Sequence, residues 1–216
     1  MRLLLASNNL HKLSEFRRLF AAMAAPVQLL SAAAVGTRWH FEEGAESYSQ
    51  NALGKALAVH GATGEPALAD DSGIEVEILA GAPGVLSARY GEPGMGDAER
   101  AAHLLAAVAD AGAGAGPPTA NRDARFVCCL ALVLDRQHVV TVQASVAGTL
   151  ALRASGGGGF GYDPIFQVDA SGRTMAELAD AEKDAISHRG RALRACVRCI
   201  DFATGRLYDQ APQRAL

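Results

Sequence analysis

The amino-acid sequence predicts an α/β protein, and three observations support that prediction. Short apolar runs typical of strands alternate with longer segments in which apolar residues recur at helical spacing. Half of the 216 residues are apolar, which is enough for a chain of this length to bury a core. Two adjacent carboxylates, Asp70 and Asp71, follow an apolar run, at the kind of position where α/β proteins place chemical groups.

The chain opens with a predicted strand from Arg2 to Ala6, a polar loop and a helix. Apolar residues recur through that helix at Leu10, Leu13, Phe16, Phe20 and Met23. Ser7 or Asn8 is predicted to cap the helix, so that the backbone N–H groups of its first turn and Lys12 form an anion-binding corner. A capped surface helix with a solvated lysine is the alternative, and the glycine pattern of a Walker loop is missing.

A second strand is predicted from Val27 to Ser31, and the polar segment after it carries the pair Glu42-Glu43. A helix is predicted from about Ser47 to His60, on which Asn51 and Lys55 stand four apart and therefore share a face. These two residues are either solvent-exposed surface residues without a role or part of a site formed with the carboxylates before and after them.

The pair Asp70-Asp71 precedes Ser72, Gly73 and a second strand-like run from Ile74 to Ile78. We predict that the two carboxylates lie in a turn at the mouth of a strand. Neighbouring acids are costly to hold together unless a cation neutralises them, and oxygen ligands suit a hard ion such as Mg²⁺. A solvated turn is the alternative, because Asp, Ser and Gly are all turn formers.

The middle of the chain carries predicted elements but few candidate groups. We predict a rigid bend at residues 81–85, a helix over 97–109, and two strands over 125–134 and 138–146 that form a hairpin. The low-complexity stretch near residues 112–123 is predicted to be a flexible surface loop.

A glycine-rich segment from Gly156 to Pro164 is the second informative stretch. Its glycines would allow a ligand to approach the backbone, and Phe160 and Tyr162 offer faces on which a base can stack. Asp163 precedes a proline and is therefore held extended. A glycine-rich hairpin tip is the alternative.

Basic residues gather near the end of the chain, at Lys183, His188 and Arg189. Ser187 is a plausible cap for a helix through Phe202, which places His188 and Arg189 in its first turn. Cations there oppose the helix dipole, and an anion or polar ligand nearby would compensate. A solvated basic turn is the alternative.

The overall charge excludes some classes of partner. A net charge of −3 and a pI near 6.1 argue against a nucleic-acid polymer. No apolar stretch approaches the length of a bilayer, so we expect no membrane partner and a cytoplasmic location. Cys128, Cys129, Cys196 and Cys199 are predicted to be buried free thiols rather than a zinc or redox motif.

A set of motifs in a fixed order spans almost the whole chain. They are Ser7-x-Asn9-x-x-Lys12, Glu42-Glu43, Asn51-Ala52-x-x-Lys55-Ala56, Ala69-Asp70-Asp71-Ser72-Gly73, Gly81-Ala82-Pro83-Gly84 with Ser87-Ala88-Arg89-Tyr90, Gly158-Gly159-Phe160-Gly161-Tyr162-Asp163-Pro164-Ile165-Phe166, and Glu182-Lys183-x-Ala185-Ile186-Ser187-His188-Arg189-Gly190. With this set the sequence closely resembles the inosine triphosphate pyrophosphatase family. Ser7 stands where that family usually has threonine, but the hydroxyl is kept.

The resemblance implies an enzyme that hydrolyses dITP, ITP and XTP to the monophosphate and pyrophosphate, with Mg²⁺ as cofactor and Mn²⁺ as a substitute. It also implies one domain over residues 1–216, with an elongated, twisted, mixed sheet flanked by helices and two lobes around a central active-site cleft. Members of the family are usually homodimers.

Site roles follow from the same resemblance. Asp71 is expected to be the general base and a metal ligand, and Asp70 with Glu43 or Glu42 is expected to complete the metal environment. The triphosphate would be held by Ser7, Asn8, Asn9, Leu10, His11, Lys12 and Lys55. The nucleoside would be lined by Ser72, Phe160, Gly161, Tyr162, Asp163, Lys183, His188 and Arg189.

Base selection requires a hydrogen-bond donor facing the 6-carbonyl of hypoxanthine or xanthine, for which His188, Arg189 and backbone N–H groups are the candidates. Two rival functions remain at this stage. One is a pyrophosphatase for other modified nucleotides, and the other is a catalytically silent nucleotide-binding module.

Overall fold

The computed structural model describes residues 1–207 apart from 37, 45, 114–116, 118–120, 169, 170 and 203. Its main sheet has six strands in the order β2-β1-β3-β4-β5-β6, and β7 and β8 form a small antiparallel pair. The strands are β1 Arg2–Leu5, β2 Gln28–Ser31, β3 Ala67–Val76, β4 Asp123–Val133, β5 Val139–Leu150, β6 Phe166–Gln167, β7 Ile200–Asp201 and β8 Arg206–Leu207.

The main sheet is mixed. Strand β1 runs parallel to β2 on one side, with Leu3 opposite Leu29, and parallel to β3 on the other, with Leu5 opposite Leu68. Strands β5 and β6 are antiparallel. Parallel neighbours joined through a helix are typical of α/β proteins, so the predicted fold class is confirmed.

Helices connect and flank these strands. They are α1 Leu10–Ala22, α2 Tyr48–Thr63, α3 Asp97–Ala111, α4 Asp180–Ile186 and α5 His188–Val197. Ser47 caps α2 through a bond from the Gln50 N–H to its hydroxyl. The prediction for α1 was wrong, because the cap is Asn9, whose side chain accepts from the N–H of Lys12. Ser7 instead accepts from the N–H of Asn9 and steadies the capping residue.

The chain divides into two compact units. Unit 1 comprises Met1–Asp71, Cys128–Ala144 and Arg189–Leu216, and unit 2 comprises Ser72–Val127 and Ser145–His188. Each has its own apolar core. Residues such as Leu5, Phe16 and Leu130 build the core of unit 1, and Ile74, Leu104 and Phe166 belong to that of unit 2. The expectation of one domain over residues 1–216 stays a prediction.

The carboxylate pair does not lie in a turn. Strand β3 continues from Ala67 to Val76, so Asp70 and Asp71 lie in its middle, and the predicted second run ends at Val76 rather than Ile78. Both carboxylates are buried. A strand tolerates two buried acids only where cations reach them, and such cations are present.

The predicted hairpin is confirmed. Strands β4 and β5 are neighbours, and the Leu134 N–H donates to the His138 carbonyl across their short connection. Asp135 holds that turn by accepting from the N–H groups of Gln137 and His138. Half of the predicted loop over residues 112–123, namely 114–116 and 118–120, lies outside the described residues.

The cysteines are free thiols, as predicted. Cys128, Cys129 and Cys196 are buried, and Cys199 is partly buried. Burial raises the pKa of Cys129 to about 11 and that of Cys196 to about 12, so these thiols are poor nucleophiles. Across the described part of the chain, no helix combines the length and the apolar character needed to span a bilayer.

Gly148 provides a test of how tightly β5 packs against β6. A Cβ at this position would lie 2.2 Å from the carbonyl oxygen of Gln167 and 2.7 Å from the Phe166 ring. We therefore expect Gly148→Ala to lower the free energy of unfolding by about 1–3 kcal/mol in urea denaturation.

Gly61→Ala is the matched control, because a Cβ there meets no atom within 4 Å and Gly61 lies inside α2. We expect this change to raise the free energy of unfolding by up to about 1 kcal/mol. Equal effects from the two substitutions would contradict the packing described for β5.

Candidate active site

Asp70 is the most deeply buried carboxylate among the described residues of unit 1. Its Oδ2 lies 2.9 Å from the Nζ of Lys12 on α1 and 3.3 Å from a terminal nitrogen of Arg189 on α5. Burial by itself raises the pKa of Asp70. The nearby charges of Lys12, Arg189 and Lys55 outweigh burial and hold this pKa well below its usual range. Asp70 is therefore a fixed anion that orients cations.

Asp71 has a different environment. Its Oδ2 accepts from the side-chain amide of Asn51 at 3.0 Å, and its Oδ1 lies 3.3 Å from the Nζ of Lys55. Burial, helped by the negative charge of Glu43, raises the pKa of Asp71, although Lys55 and Asn51 oppose the shift. A carboxylate with a raised pKa accepts a proton more readily than an ordinary surface aspartate.

Lys55 joins Asp71 to Glu43. Its Nζ lies 2.6 Å from Oε1 of Glu43 as well as close to Asp71. Burial lowers the pKa of Lys55, but Asp70, Asp71 and Glu43 together raise it above the ordinary value, so the ammonium stays charged. Glu42 is exposed, whereas Glu43 is partly buried and bonded. The geometry therefore favours Glu43 over Glu42 as the functional glutamate.

Arg189 is buried in unit 1 and bonds to two carboxylates. Its terminal nitrogens donate to Glu15 and Asp70, and its guanidinium lies 5.8 Å from the centre of the Phe16 ring. Arg189 is expected from the sequence to line the nucleoside, which stays a prediction, and its guanidinium is engaged by two acids of its own unit. These acids are the anions that compensate a cation in the first turn of α5.

Glu15, the buried partner of Arg189, is not among the site residues predicted from the sequence. It is buried on α1, one turn after Lys12 and one turn before Leu19, so it lies on the face that carries the core residues of the helix. A charged residue on such a face is a signal for a buried ion pair, and it was available in the sequence.

The segment from Ser7 to Lys12, which leads into α1 and includes its first residues, is mostly exposed. Asn8, Asn9, Leu10 and His11 face solvent, and Ser7 and Lys12 are partly buried. Lys12 bonds to Asp70, so its position is fixed in advance. The expectation that this segment holds a triphosphate stays a prediction.

Unit 2 contains a second buried ion pair. Its aspartate, Asp163, begins a short 3₁₀ helix over Asp163–Ile165, so the prediction that it is held extended was wrong. The Nζ of Lys183 on α4 lies 2.8 Å from Oδ2 of Asp163, and the same oxygen accepts from the N–H of Phe160 at 2.8 Å. Lys183 also lies 5.2 Å from the centre of the Phe160 ring. These contacts fix the partly buried Phe160 ring, which remains the aromatic candidate for stacking on a base.

Tyr162 has a structural role rather than the stacking role expected of its ring. The ring is buried in the core of unit 2, and its hydroxyl donates to the Ser87 carbonyl at 2.8 Å. The nearby glycines were expected to let a ligand approach the backbone, but at Gly159 the space is taken by a side chain of the protein. A Cβ on Gly159 would lie 2.2 Å from the Asp163 carboxylate, and φ there is +69°. Glycine at this position therefore makes room for the Asp163 side chain.

Three further groups complete the candidate residues of unit 2. The buried His188 ring stacks on Phe126, with 4.7 Å between ring centres. Ser72 follows Asp71 in β3 and is partly buried. Asp97, which the sequence analysis missed, begins α3 and accepts from the N–H of Gly161 at 2.9 Å, so it anchors the segment that carries Phe160.

Two carboxylates, Asp71 and Glu43, fit a divalent cation better than the expected set of Asp70, Asp71 and either Glu43 or Glu42. Oxygens of Asp71 and Glu43 already converge on one positive centre, the Nζ of Lys55, whereas Asp70 directs Oδ2 at Lys12 and Arg189. Among the described residues, no group of three or more His, Cys, Asp or Glu side chains is arranged to hold a metal. Mg²⁺ is commonly held by one or two carboxylates together with substrate phosphates, so this pair suits it.

Comparisons with known proteins agree with this arrangement of motifs. The model of the Ham1 family matches residues 3–199. A dITP/XTP pyrophosphatase of Gloeobacter violaceus is 44% identical over 192 residues, which cover 89% of this chain and 90% of that protein. A dITP/XTP pyrophosphatase of Mycolicibacterium paratuberculosis is 45% identical over 203 residues, which cover 92% of this chain and 95% of that protein.

Solved structures give the same result. A HAM1 protein from Coxiella burnetii has a TM-score of 0.78 and 36% identity, covering 91% of this chain and 96% of that one. A nucleoside-triphosphatase / dITP/XTP pyrophosphatase from Mycobacterium abscessus has a TM-score of 0.69 and 41% identity, covering 91% and 97%. These matches confirm the resemblance drawn from the sequence motifs, and this chain belongs to the Ham1 family.

Proposed function

We propose that this protein is a nucleoside triphosphate pyrophosphatase that hydrolyses nonstandard purine nucleotides, namely dITP, ITP and XTP, to the monophosphate and pyrophosphate. Relatives at 44% and 45% identity carry the name dITP/XTP pyrophosphatase. The observation that supports the chemistry best is the chain of contacts from Asn51 to Asp71 to Lys55 to Glu43 in unit 1.

In this proposal Asp71 and Glu43 would hold the cofactor, Mg²⁺ or Mn²⁺. When bound, such an ion neutralises phosphate charge and makes a bound water more acidic. Asp71 accepts the proton of the water that attacks the α-phosphorus, and Asn51 fixes the orientation of that carboxylate through Oδ2. Lys12 and Lys55 supply positive charge for the leaving pyrophosphate, and charge stabilisation with positioning carries most of the rate.

The nucleoside end is assigned to unit 2. The Phe160 ring supplies a stacking face whose position is fixed by Lys183 and Asp163. His188 or a backbone N–H donates to the 6-carbonyl of hypoxanthine or xanthine. ATP presents an amino group at this position, so a donor then faces a donor, and a buried mismatch of this kind rejects an analogue strongly.

Three further expectations belong to the same proposal. The family resemblance supports a homodimer, a cytoplasmic location and two lobes around a central cleft. The rival functions, a pyrophosphatase for other modified nucleotides and a silent nucleotide-binding module, are separated from this one by the nucleotides that the protein hydrolyses.

Asp71→Asn tests the proposed base. The amide keeps the shape of the side chain and one acceptor oxygen but takes up no proton, so we expect kcat for ITP to fall by about 10²–10⁴-fold. Pyrophosphate release measures this change, and thermal unfolding checks that the variant is folded.

Asp110→Asn is the matched control, since Asp110 is exposed on α3 and we expect its amide variant to keep full activity. A folded Asp71→Asn variant with wild-type turnover would remove Asp71 from the role of base.

A substrate panel tests base selection. We expect kcat/KM for ITP and XTP to exceed that for ATP by about 10⁴-fold, because the ATP amino group meets a donor. In His188→Phe the stacking on Phe126 is kept while the imidazole N–H is lost, so kcat/KM for ITP should fall and that for ATP should not.

Equal rates on ITP, XTP, GTP and ATP in the wild-type protein would end the proposal of purine selection. An unchanged preference in His188→Phe would assign the donor to a backbone N–H instead.

A further inference from the structure

Unit 1 contains a cavity that the proposed mechanism does not use. It has a volume of about 450 Å³ and is lined by Asn8, Ala33, Arg38, Trp39 and His40. Four of these five side chains carry polar groups, and Arg38 brings a permanent positive charge. The cavity is therefore suited to a polar, negatively charged ligand rather than to an apolar one.

The cavity adjoins the segment proposed to hold the triphosphate. Asn8 belongs to the run from Ser7 to Lys12, and the next residue, Asn9, caps α1 by accepting from the N–H of Lys12. Arg38, Trp39 and His40 come shortly before Glu43 in the chain. The same stretch of unit 1 thus contributes both to the cavity and to the Lys55 network.

The charged side chains around Asp70 and Asp71 form a cluster whose cations do not outnumber its anions, so further cations would help to bind a triphosphate. Lys12, Lys55 and Arg189 are its positive groups, and each is bonded to at least one carboxylate. The carboxylates that they contact are Glu15, Glu43, Asp70 and Asp71. The cluster therefore has more negative than positive side chains even without substrate. A bound triphosphate would add several further negative charges.

Arg38 and His40 differ from those cations. Both side chains are exposed, and among the described residues neither makes an ion pair or a hydrogen bond. A guanidinium in this state binds phosphate oxygens through two parallel N–H groups without first releasing a carboxylate. The partly buried Trp39 between them forms a rigid wall and offers one indole N–H.

We propose that this cavity is an accessory phosphate subsite in which Arg38 and His40 bind the terminal phosphates of the substrate and then the pyrophosphate product. This inference rests on the proposed function, and it adds residues outside the motifs that carry the family resemblance. The α-phosphorus chemistry stays with Asp71, so the subsite acts on binding rather than on proton transfer.

Calorimetric titration with inorganic pyrophosphate tests the subsite directly. We expect Arg38→Ala to raise the Kd for pyrophosphate and the KM for ITP by about tenfold, the loss of one charge-assisted contact, while kcat changes less than twofold. Arg38→Lys keeps the charge but not the paired N–H groups, and should recover only part of the affinity.

Arg136→Ala is the matched control, because it removes the same charge from an exposed residue of unit 1 in the turn between β4 and β5. Equal pyrophosphate affinity in Arg38→Ala and Arg136→Ala would overturn the subsite. So would a Trp39→Ala variant that loses ITP binding while Arg38→Ala retains it, since the cavity would then hold a base.

The titration also separates this inference from the proposed function, because it requires no turnover. A wild-type protein that binds pyrophosphate through Arg38 but does not hydrolyse ITP would refute the function and keep the subsite. Hydrolysis of ITP with an unchanged KM in Arg38→Ala would refute the subsite and keep the function.

Discussion

Neutralisation of two adjacent buried carboxylates is the constraint on which unit 1 depends. Asp70 and Asp71 lie in the middle of β3, where an unpaired charge would cost several kcal/mol. Lys12 and Arg189 compensate Asp70, and Lys55 compensates Asp71. These cations come from α1, α2 and α5, so the ion pairs that make the strand tolerable also fix three helices around it.

In this arrangement the pKa values of two adjacent residues of one strand shift in opposite directions. Two cations contact the same oxygen of Asp70 and lower its pKa, whereas burial and Glu43 raise the pKa of Asp71. Asp70 therefore stays an anion, whereas Asp71 takes up a proton more readily. Side chains alternate between the two faces of a strand, which explains how neighbours in sequence meet different partners.

Unit 2 also contains a buried ion pair, but this pair positions a loop. Asp163 is buried with Lys183, and its carboxylate also accepts from the backbone N–H of Phe160. This ion pair holds the Phe160 ring and the loop that carries it, whereas the ion pairs of unit 1 hold the carboxylates of β3. Gly159 and Asp97 complete that loop, one by leaving space for the Asp163 carboxylate and the other by binding the N–H of Gly161.

The sequence by itself determined the fold class, most helix and strand positions, the family and the residue types of the candidate site, because periodicity and ordered motifs are local properties of the chain. Only the tertiary structure decided that β3 continues through Asp70 and Asp71, that Glu43 rather than Glu42 meets Lys55, and that Arg189 pairs with Glu15. The reason is physical. Burial and charge pairing depend on which side chains, distant in sequence, come into contact in the folded protein, and the spacing of residues along the chain does not determine those contacts.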